Sequence, residues 1–136
     1  MKALWFVCGV MLIMGSVSAR DVSELSSPLI LLTPVIGQNA DVLKLSAEQR
    51  QVLREWVATA PAKRNAVEDE TMQLRAQLRD AIIANAPETD RQQLAQQVGE
   101  LEAQLLMIRS ACVEHWRQQL SAEQFAQALE LAGLDR

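Results

Sequence analysis

The chain has 136 residues and a formal net charge of −4, and aromatic side chains make up only 4% of it. This length allows one domain at most, and the scarcity of aromatics limits the core that a monomer can bury. Acidic and basic residues are interspersed with an acidic excess, so nothing in the composition indicates nucleic-acid binding. The sequence holds one histidine, no Ser-His-Asp pattern and no glycine-rich phosphate loop, so we expect that the protein is not an enzyme.

Residues 1–19 have the pattern of a secretory signal peptide. A lysine supplies the positive start, and the apolar run Ala3–Met14 is shorter than a membrane-spanning helix requires. Val17 and Ala19 occupy the small-residue positions of a cleavage site, which predicts a mature periplasmic chain that begins at Arg20 and does not insert into the membrane. Cleavage removes one lysine and no acid, which changes the net charge from −4 to −5. An uncleaved inner-membrane anchor facing the periplasm is the alternative.

Residues 20–44 are predicted to form an N-terminal arm that is partly disordered. Its apolar segment, residues 28–36, begins with Pro28 and contains Pro34, and a proline argues against a continuing helix. We therefore predict an extended arm that packs on the helical body. An arm that binds a client or partner protein is the alternative.

The helical domain is predicted to span residues 45–136. Apolar residues at helical spacing predict a first helix over Ser46–Thr59 and a second over Pro61–Asn85, because Pro61 should break or kink the chain between them. The apolar stripe of the second helix consists of Val67, Leu74, Leu78 and Ile82. The acidic run at 68–70 is interpreted as a solvated surface of this helix.

A third helix is predicted over Glu88–Leu120, after a chain reversal at 85–89, with a length of about 50 Å. Its apolar positions alternate in steps of four and three, as in a heptad seam that packs along another helix. They are Leu94, Val98, Leu101, Leu105, Ile108, Cys112 and His115. A fourth helix over Ser121–Ala132 should end at Gly133. The lengths predict an all-α fold, a long antiparallel helical hairpin with short flanking helices.

Two identical pentapeptides flank this hairpin, and each reads LSAEQ. The serine of each can N-cap a helix, and the glutamine three residues later can reach back to the backbone N–H of the cap. The motif residues are Leu45, Ser46 and Gln49 in the first copy and Leu120, Ser121 and Gln124 in the second. Leu120 and Phe125 also occupy the two positions of a hydrophobic staple. We expect the hairpin to bring the two caps close together.

The pentapeptides resemble the LTxxQ motif, with serine in place of threonine, a change that keeps the cap. Paired LTxxQ motifs around a helical hairpin are typical of the Spy/CpxP periplasmic proteins and their ZraP-like and CnrX-like metal-resistance relatives. The resemblance covers roughly residues 43–131. It implies a small, usually dimeric, ATP-independent chaperone or envelope-stress adaptor that binds unfolded protein or a sensor kinase. The alternative that it implies is a heavy-metal-responsive sensor or resistance protein.

Cys112 and His115 lie one turn apart on the third helix and are the candidate metal ligands. Thiolate and imidazole both suit Zn and Cu, and Ni is a further candidate, but two ligands do not complete a site. A symmetric dimer could supply two more. The alternative is that both side chains pack in the seam. Cys112 is also the sole cysteine after residue 19, so a disulfide between two copies is open.

A surface for clients is predicted from basic residues on the long helices. These candidate partner-binding residues are Arg75, Arg79, Arg91 and Arg109. Ordinary helix surface is the alternative for each of them. A homodimer is predicted as well, because a small chain with few aromatics leaves apolar seam and arm surface to be covered.

Overall fold

The computed structural model describes Leu25 and residues 29–134, so the predicted signal peptide lies outside the described residues. Within the described part the chain forms helices and no strand. The helices are α1 (Leu32–Gln38), α2 (Ala47–Ile83), α3 (Glu88–Gln119) and α4 (Ala122–Leu131). The long helices α2 and α3 pack against each other, which confirms the predicted all-α fold built on a helical hairpin. No described helix combines the length and the hydropathy needed to cross a bilayer.

Pro61 does not interrupt the chain, because Ala47–Ile83 form one continuous helix of 37 residues. The predicted boundary between a first and a second helix is therefore wrong. A proline inside a helix removes a backbone hydrogen bond and costs about 3 kcal/mol. Packing on both sides of the proline offsets that cost: Trp56 stacks on His115 before it, and Val67 is buried after it.

The hairpin reverses at its tip, between α2 and α3, in a Schellman turn. Asn85 has a φ of 52°, a left-handed conformation that asparagine tolerates better than most residues. The N–H of Ala86 donates to the carbonyl of Ala81 at 2.9 Å, and that of Asn85 donates to Ile82 at 3.1 Å. Pro87 follows and prevents the helix from continuing. These local interactions confirm the predicted reversal.

The predicted seam of α3 is its least exposed side. Val98 is buried, and the other six seam residues are half-buried. On α2, Val67 and Thr71 are buried, and the Thr71 hydroxyl donates to the Val67 carbonyl at 2.6 Å. The seam thus places a row of side chains between the two long helices, as its spacing predicts.

Glu68 contradicts the interpretation of 68–70 as a solvated surface. It is 7% exposed, whereas the two acidic residues after it are exposed. Its Oε1 lies 3.3 Å from Arg64 Nε and 3.8 Å from Arg109 Nη2. A carboxylate is buried to this depth only when it is paired, and the two arginines, one from each long helix, provide the partners.

The main buried cluster lies at the base of the hairpin, the end opposite the tip. It comprises Leu32, Ile36, Leu43, Leu45, Trp116, Leu120, Phe125 and Ala128. The arm packs on the helical body as predicted, but it is not extended, because residues 32–38 form α1. Pro34 is the third residue of α1, where a backbone N–H has no acceptor within the helix, so proline is tolerated there. Leu32 and Ile36, four residues apart, share the buried side of this helix.

α4 closes the base and ends where the sequence predicts. Leu120 and Phe125, the staple pair, are both buried in the cluster. Gly133 has a φ of 68°, and the N–H of Leu134 donates to the carbonyl of Leu129 at 2.9 Å. This is a Schellman turn, in which glycine adopts the left-handed conformation without steric cost.

Candidate functional site

Both pentapeptides form the predicted capping boxes. Ser46 Oγ accepts from the N–H of Gln49 at 3.2 Å, and Gln49 Oε1 accepts from the N–H of Ser46 at 2.9 Å. Ser121 and Gln124 repeat the arrangement at 3.1 and 3.0 Å. The first box begins α2 and the second begins α4.

The two glutamines also bind each other, and we call this pair the glutamine clasp. Gln49 Nε2 donates to Gln124 Oε1 at 2.8 Å, and Gln124 Nε2 donates back to Gln49 Oε1 at 3.1 Å. The second hydrogen of each amide reaches a backbone carbonyl near the other motif. Gln49 donates to Gln119 and Gln124 donates to Leu43, each at 3.0 Å.

The clasp uses the full hydrogen-bonding capacity of both amides. A glutamine side chain has two acceptor sites and two donor hydrogens, and each clasp residue here accepts twice and donates twice. Glutamate has the same shape but no donor when ionised, so it cannot replace either residue. The sequence predicts that the caps lie near each other, and the clasp is the specific contact that joins them.

The remaining motif positions anchor the same junction. Leu45 and Leu120, directly before the caps, are both buried in the base cluster. In the first motif Arg50 occupies the position that Phe125 occupies in the second. It makes polar contacts there instead of packing in the apolar cluster. Arg50 Nε donates to the Leu45 carbonyl at 3.1 Å, and Nη2 lies 2.8 Å from Asp41 Oδ1. The motifs therefore join the arm, α2, α3 and α4 at one point.

A second feature lies at the opposite end of the hairpin, and we call it the tip groove. It has a volume of about 280 Å³ and is lined by Arg75, Leu78, Arg79, Ile82, Ile83 and Val98. Ile82 and Ile83 are 56% and 76% exposed, so the apolar stripe of α2 opens to solvent here. Arg75 Nη1 lies 2.8 Å from Glu102 Oε1 on α3, an ion pair that holds this guanidinium at the groove.

The four candidate partner-binding arginines do not form one surface. Arg75 and Arg79 line the tip groove. Arg91 is half-buried in the first turns of α3. Arg109 lies further along α3, beside Glu68. The exposed pair Ile82 and Ile83 was not predicted as a site, although two adjacent isoleucines just before a reversal are a signal that could have found it.

Cys112 and His115 lie on α3 near the base, and aromatic packing holds the imidazole. The rings of His115 and Trp56 stack with centroids 3.7 Å apart at an interplanar angle of 10°. Burial lowers the pKa of His115, which favours the neutral imidazole. Cys112 is half-buried with a free thiol. Among the described residues, no three His, Cys, Asp or Glu side chains gather to hold a metal ion.

We expect that a single chain does not hold Zn, Cu or Ni tightly. Two ligands leave half of a tetrahedral site unfilled, so any tight site needs donors from a second copy. Any tight binding that isothermal titration detects should then occur at one ion per two chains, and Cys112→Ser should abolish it. Binding of one ion per chain that survives this substitution would contradict the prediction.

Comparisons of the chain with family models, with curated proteins and with solved structures return no match. The resemblance to the Spy/CpxP proteins therefore depends on the two LSAEQ segments and their place around the hairpin. The geometry adds a physical reason why a serine and a glutamine recur at this spacing, because the serine caps and the glutamine both caps and clasps.

Proposed function

We propose that this protein is a periplasmic, ATP-independent chaperone or envelope-stress adaptor of the Spy/CpxP type, which binds unfolded protein or a sensor partner at the tip groove. The observation that carries the proposal is the exposure of Ile82 and Ile83 beside the two arginines of that groove. The LSAEQ motifs and the signal-peptide pattern of residues 1–19 support the family and the compartment.

The chemistry of the tip groove suits flexible protein chains. Exposed apolar side chains that adjoin one another mark interaction sites on soluble proteins. Guanidinium groups bind carboxylates and backbone carbonyls and stack on aromatic rings, so they accommodate many sequences. Arg75 and Arg79 also place two guanidinium groups at the groove of a chain that is acidic overall, and Arg75 is paired there with Glu102. No nucleotide is required, because binding is driven by apolar contact and charge.

The double substitution Ile82→Ser and Ile83→Ser is expected to reduce chaperone activity several-fold while the protein stays folded. Both side chains are exposed, so their loss should change stability by only about 0.5 kcal/mol each. The measurement is light scattering from an aggregating client protein without ATP. Val42→Ser, which removes an equally exposed apolar residue at the base, is the matched control and should suppress aggregation like the parent chain.

Two results would contradict this proposal. The first is full suppression by the double variant, and the second is an equal loss in Val42→Ser. A parent chain that binds a sensor domain but does not suppress aggregation supports the adaptor form of the proposal instead. Circular dichroism of all three proteins shows whether any loss reflects unfolding.

We also propose a homodimer, which is supported by exposed apolar residues along the middle of α3. Leu106 and Met107 are both exposed there. Met107→Glu should therefore halve the mass measured by light scattering without a loss of helix. A parent chain that is monomeric at high micromolar concentration would contradict the dimer. A metal ion shared by Cys112 and His115 of two chains would make the dimer metal-responsive, which is the alternative function.

A further inference from the structure

A pocket lies between α1, α2 and α3, and the proposed function makes no use of it. We call it the arm pocket. Its volume is about 360 Å³, and apolar side chains form most of its wall, among them Ile30, Val57, Pro61 and Val113. This size falls within the range of small-molecule sites, which are mostly apolar with a few polar groups. Ile82 of the tip groove is 18 residues along α2 from Arg64, or about 27 Å away.

The polar groups of the arm pocket are dominated by two arginines. Arg64 from α2 and Arg109 from α3 both line it. Both are largely buried, with 27% and 20% of their side chains exposed. They share contacts with one carboxylate, that of Glu68, so the group carries a net charge of +1.

The two guanidiniums retain unused capacity for an anion. Two arginines offer ten N–H donors between them, whereas the Glu68 carboxylate accepts about four and Asn65 Oδ1 accepts one, from Arg64 Nη2 at 3.4 Å. Arg64 Nε is buried and lies 3.3 Å from Glu68, yet it makes no hydrogen bond. Burial and the neighbouring Arg64 both lower the pKa of Arg109, against the opposing effect of Glu68. A second anion would relieve the repulsion between these two cations.

The walls favour an alkyl chain over a peptide as the apolar part of the ligand. Two of them are helices α2 and α3, whose backbone groups are bonded within the helix except for the Val57 carbonyl opposite Pro61. An extended peptide would leave buried amides unpaired along these walls, at a cost of about 1–3 kcal/mol each. An alkyl chain has no such groups, and its single charged end can bind the guanidiniums.

We propose that the arm pocket binds a single-chain aliphatic carboxylate, a fatty-acid anion, with its alkyl chain against Val57, Ala60 and Val113 and its carboxylate on Arg64 and Arg109. This site lies beyond the proposed function, because it is separate from the tip groove and requires no protein client. A ligand there would also cover Trp56 and Cys112, which line the same pocket.

Cys112 makes the proposal measurable in the mature chain, where it is the sole cysteine. The rate of its alkylation by iodoacetamide is measured with increasing dodecanoate, below the concentration at which dodecanoate forms micelles. We expect saturable slowing with one ligand per chain, together with a change in tryptophan fluorescence. Dodecyltrimethylammonium, with the same chain and the opposite charge, should not slow alkylation at the same concentrations.

Three variants test the assignment of the residues. Arg109→Gln should weaken dodecanoate binding about tenfold, as expected for the loss of a charged hydrogen bond. Ala60→Leu should block binding by filling the pocket, and it leaves the charges unchanged, so it decides the matter if Arg109→Gln unfolds. Arg54→Gln, which removes an exposed arginine of α2 outside the pocket, should bind like the parent chain.

The following results would overturn the proposal. Dodecanoate could fail to protect Cys112 at any concentration below micelle formation. The cationic amphiphile could protect Cys112 equally well, which would show adsorption without charge recognition. Unchanged affinity in folded Arg109→Gln or in Ala60→Leu would show that the ligand binds elsewhere.

Discussion

Ile36→Asp is expected to unfold the base of the protein at urea concentrations where the parent chain is fully folded. Ile36 is 0% exposed and belongs to the apolar cluster that includes Leu32 and Trp116. An introduced carboxylate there would lose its hydration without gaining a cation, which costs several kcal/mol. Domains of this kind have a total stability of about 5–15 kcal/mol, so the loss is a large fraction of it. The midpoint of urea unfolding, followed by circular dichroism, measures the effect.

Gln38→Asp is the matched control for this substitution. It adds the same charge to the same helix at an exposed position, and a carboxylate near the end of a helix costs less than about 1 kcal/mol. An extended, peripheral arm would make the two variants equally mild. Equal unfolding midpoints for Ile36→Asp and the parent chain would therefore show that α1 does not contribute to the core.

The helical hairpin could be predicted because its signals are local. The four-and-three spacing along α3 describes one side of one helix, and Asn85 followed by Pro87 describes one turn. The continuity of α2 through Pro61 could not be predicted in this way. It depends on the stacking of Trp56 on His115, 59 residues later in the chain, and propensity carries no information about that contact.

α1 and Glu68 illustrate the same division between local and distant causes. The spacing of Leu32 and Ile36 is helical, but Pro34 between them favours an extended segment. The packing of this segment against α3 and α4 stabilises the helix instead. The local sequence of Glu68 is that of an exposed acidic run. Its burial depends on Arg109, which is 41 residues later in the chain and lies beside it. In both places tertiary packing overrides the local preference.

The candidate site was predictable to a similar extent. The repeated LSAEQ segments identify the caps from sequence, since a capping box spans only four residues. The amide pairing of Gln49 and Gln124 requires that the starts of α2 and α4 are positioned accurately enough for two hydrogen bonds to form. Helix lengths estimated from sequence do not provide that accuracy. The tip groove likewise requires knowledge of which side of α2 is covered by α3.

Gln49→Glu is expected to destabilise the protein by about 3 kcal/mol at pH 7, because an ionised carboxylate is an acceptor only. The variant loses the donors to the Gln119 carbonyl and to Gln124 Oε1, and it places negative charge against both oxygens. Gln77→Glu, an exposed substitution on the same helix, is the matched control and should be close to neutral. Urea unfolding measures both.

The pH dependence of Gln49→Glu separates the clasp from simple loss of packing. The folded state disfavours the introduced carboxylate, so it should bind a proton more tightly than the unfolded state, which raises the folded pKa of the introduced group. The loss of unfolding free energy relative to the parent chain should therefore be smallest at and below the ordinary glutamate pKa of about 4.3. It should grow as the pH rises through the pKa that the introduced group has in the folded state. A deficit that does not change with pH would contradict this account.

A double-mutant cycle tests the contact itself, with Gln49→Leu and Gln124→Leu alone and combined. Each single change removes the partner of a reciprocal pair and leaves the other amide with unused donor and acceptor groups. Because the first substitution has already removed the contact between the amides, the second removes fewer interactions. The loss of unfolding free energy in the double variant should therefore be smaller than the sum of the two single losses by about 1–3 kcal/mol. Leucine keeps most of the volume of glutamine, which limits the contribution of cavities. Strict additivity would mean that each glutamine acts only on its own cap, and the two motifs would then be independent helix starts that happen to lie side by side.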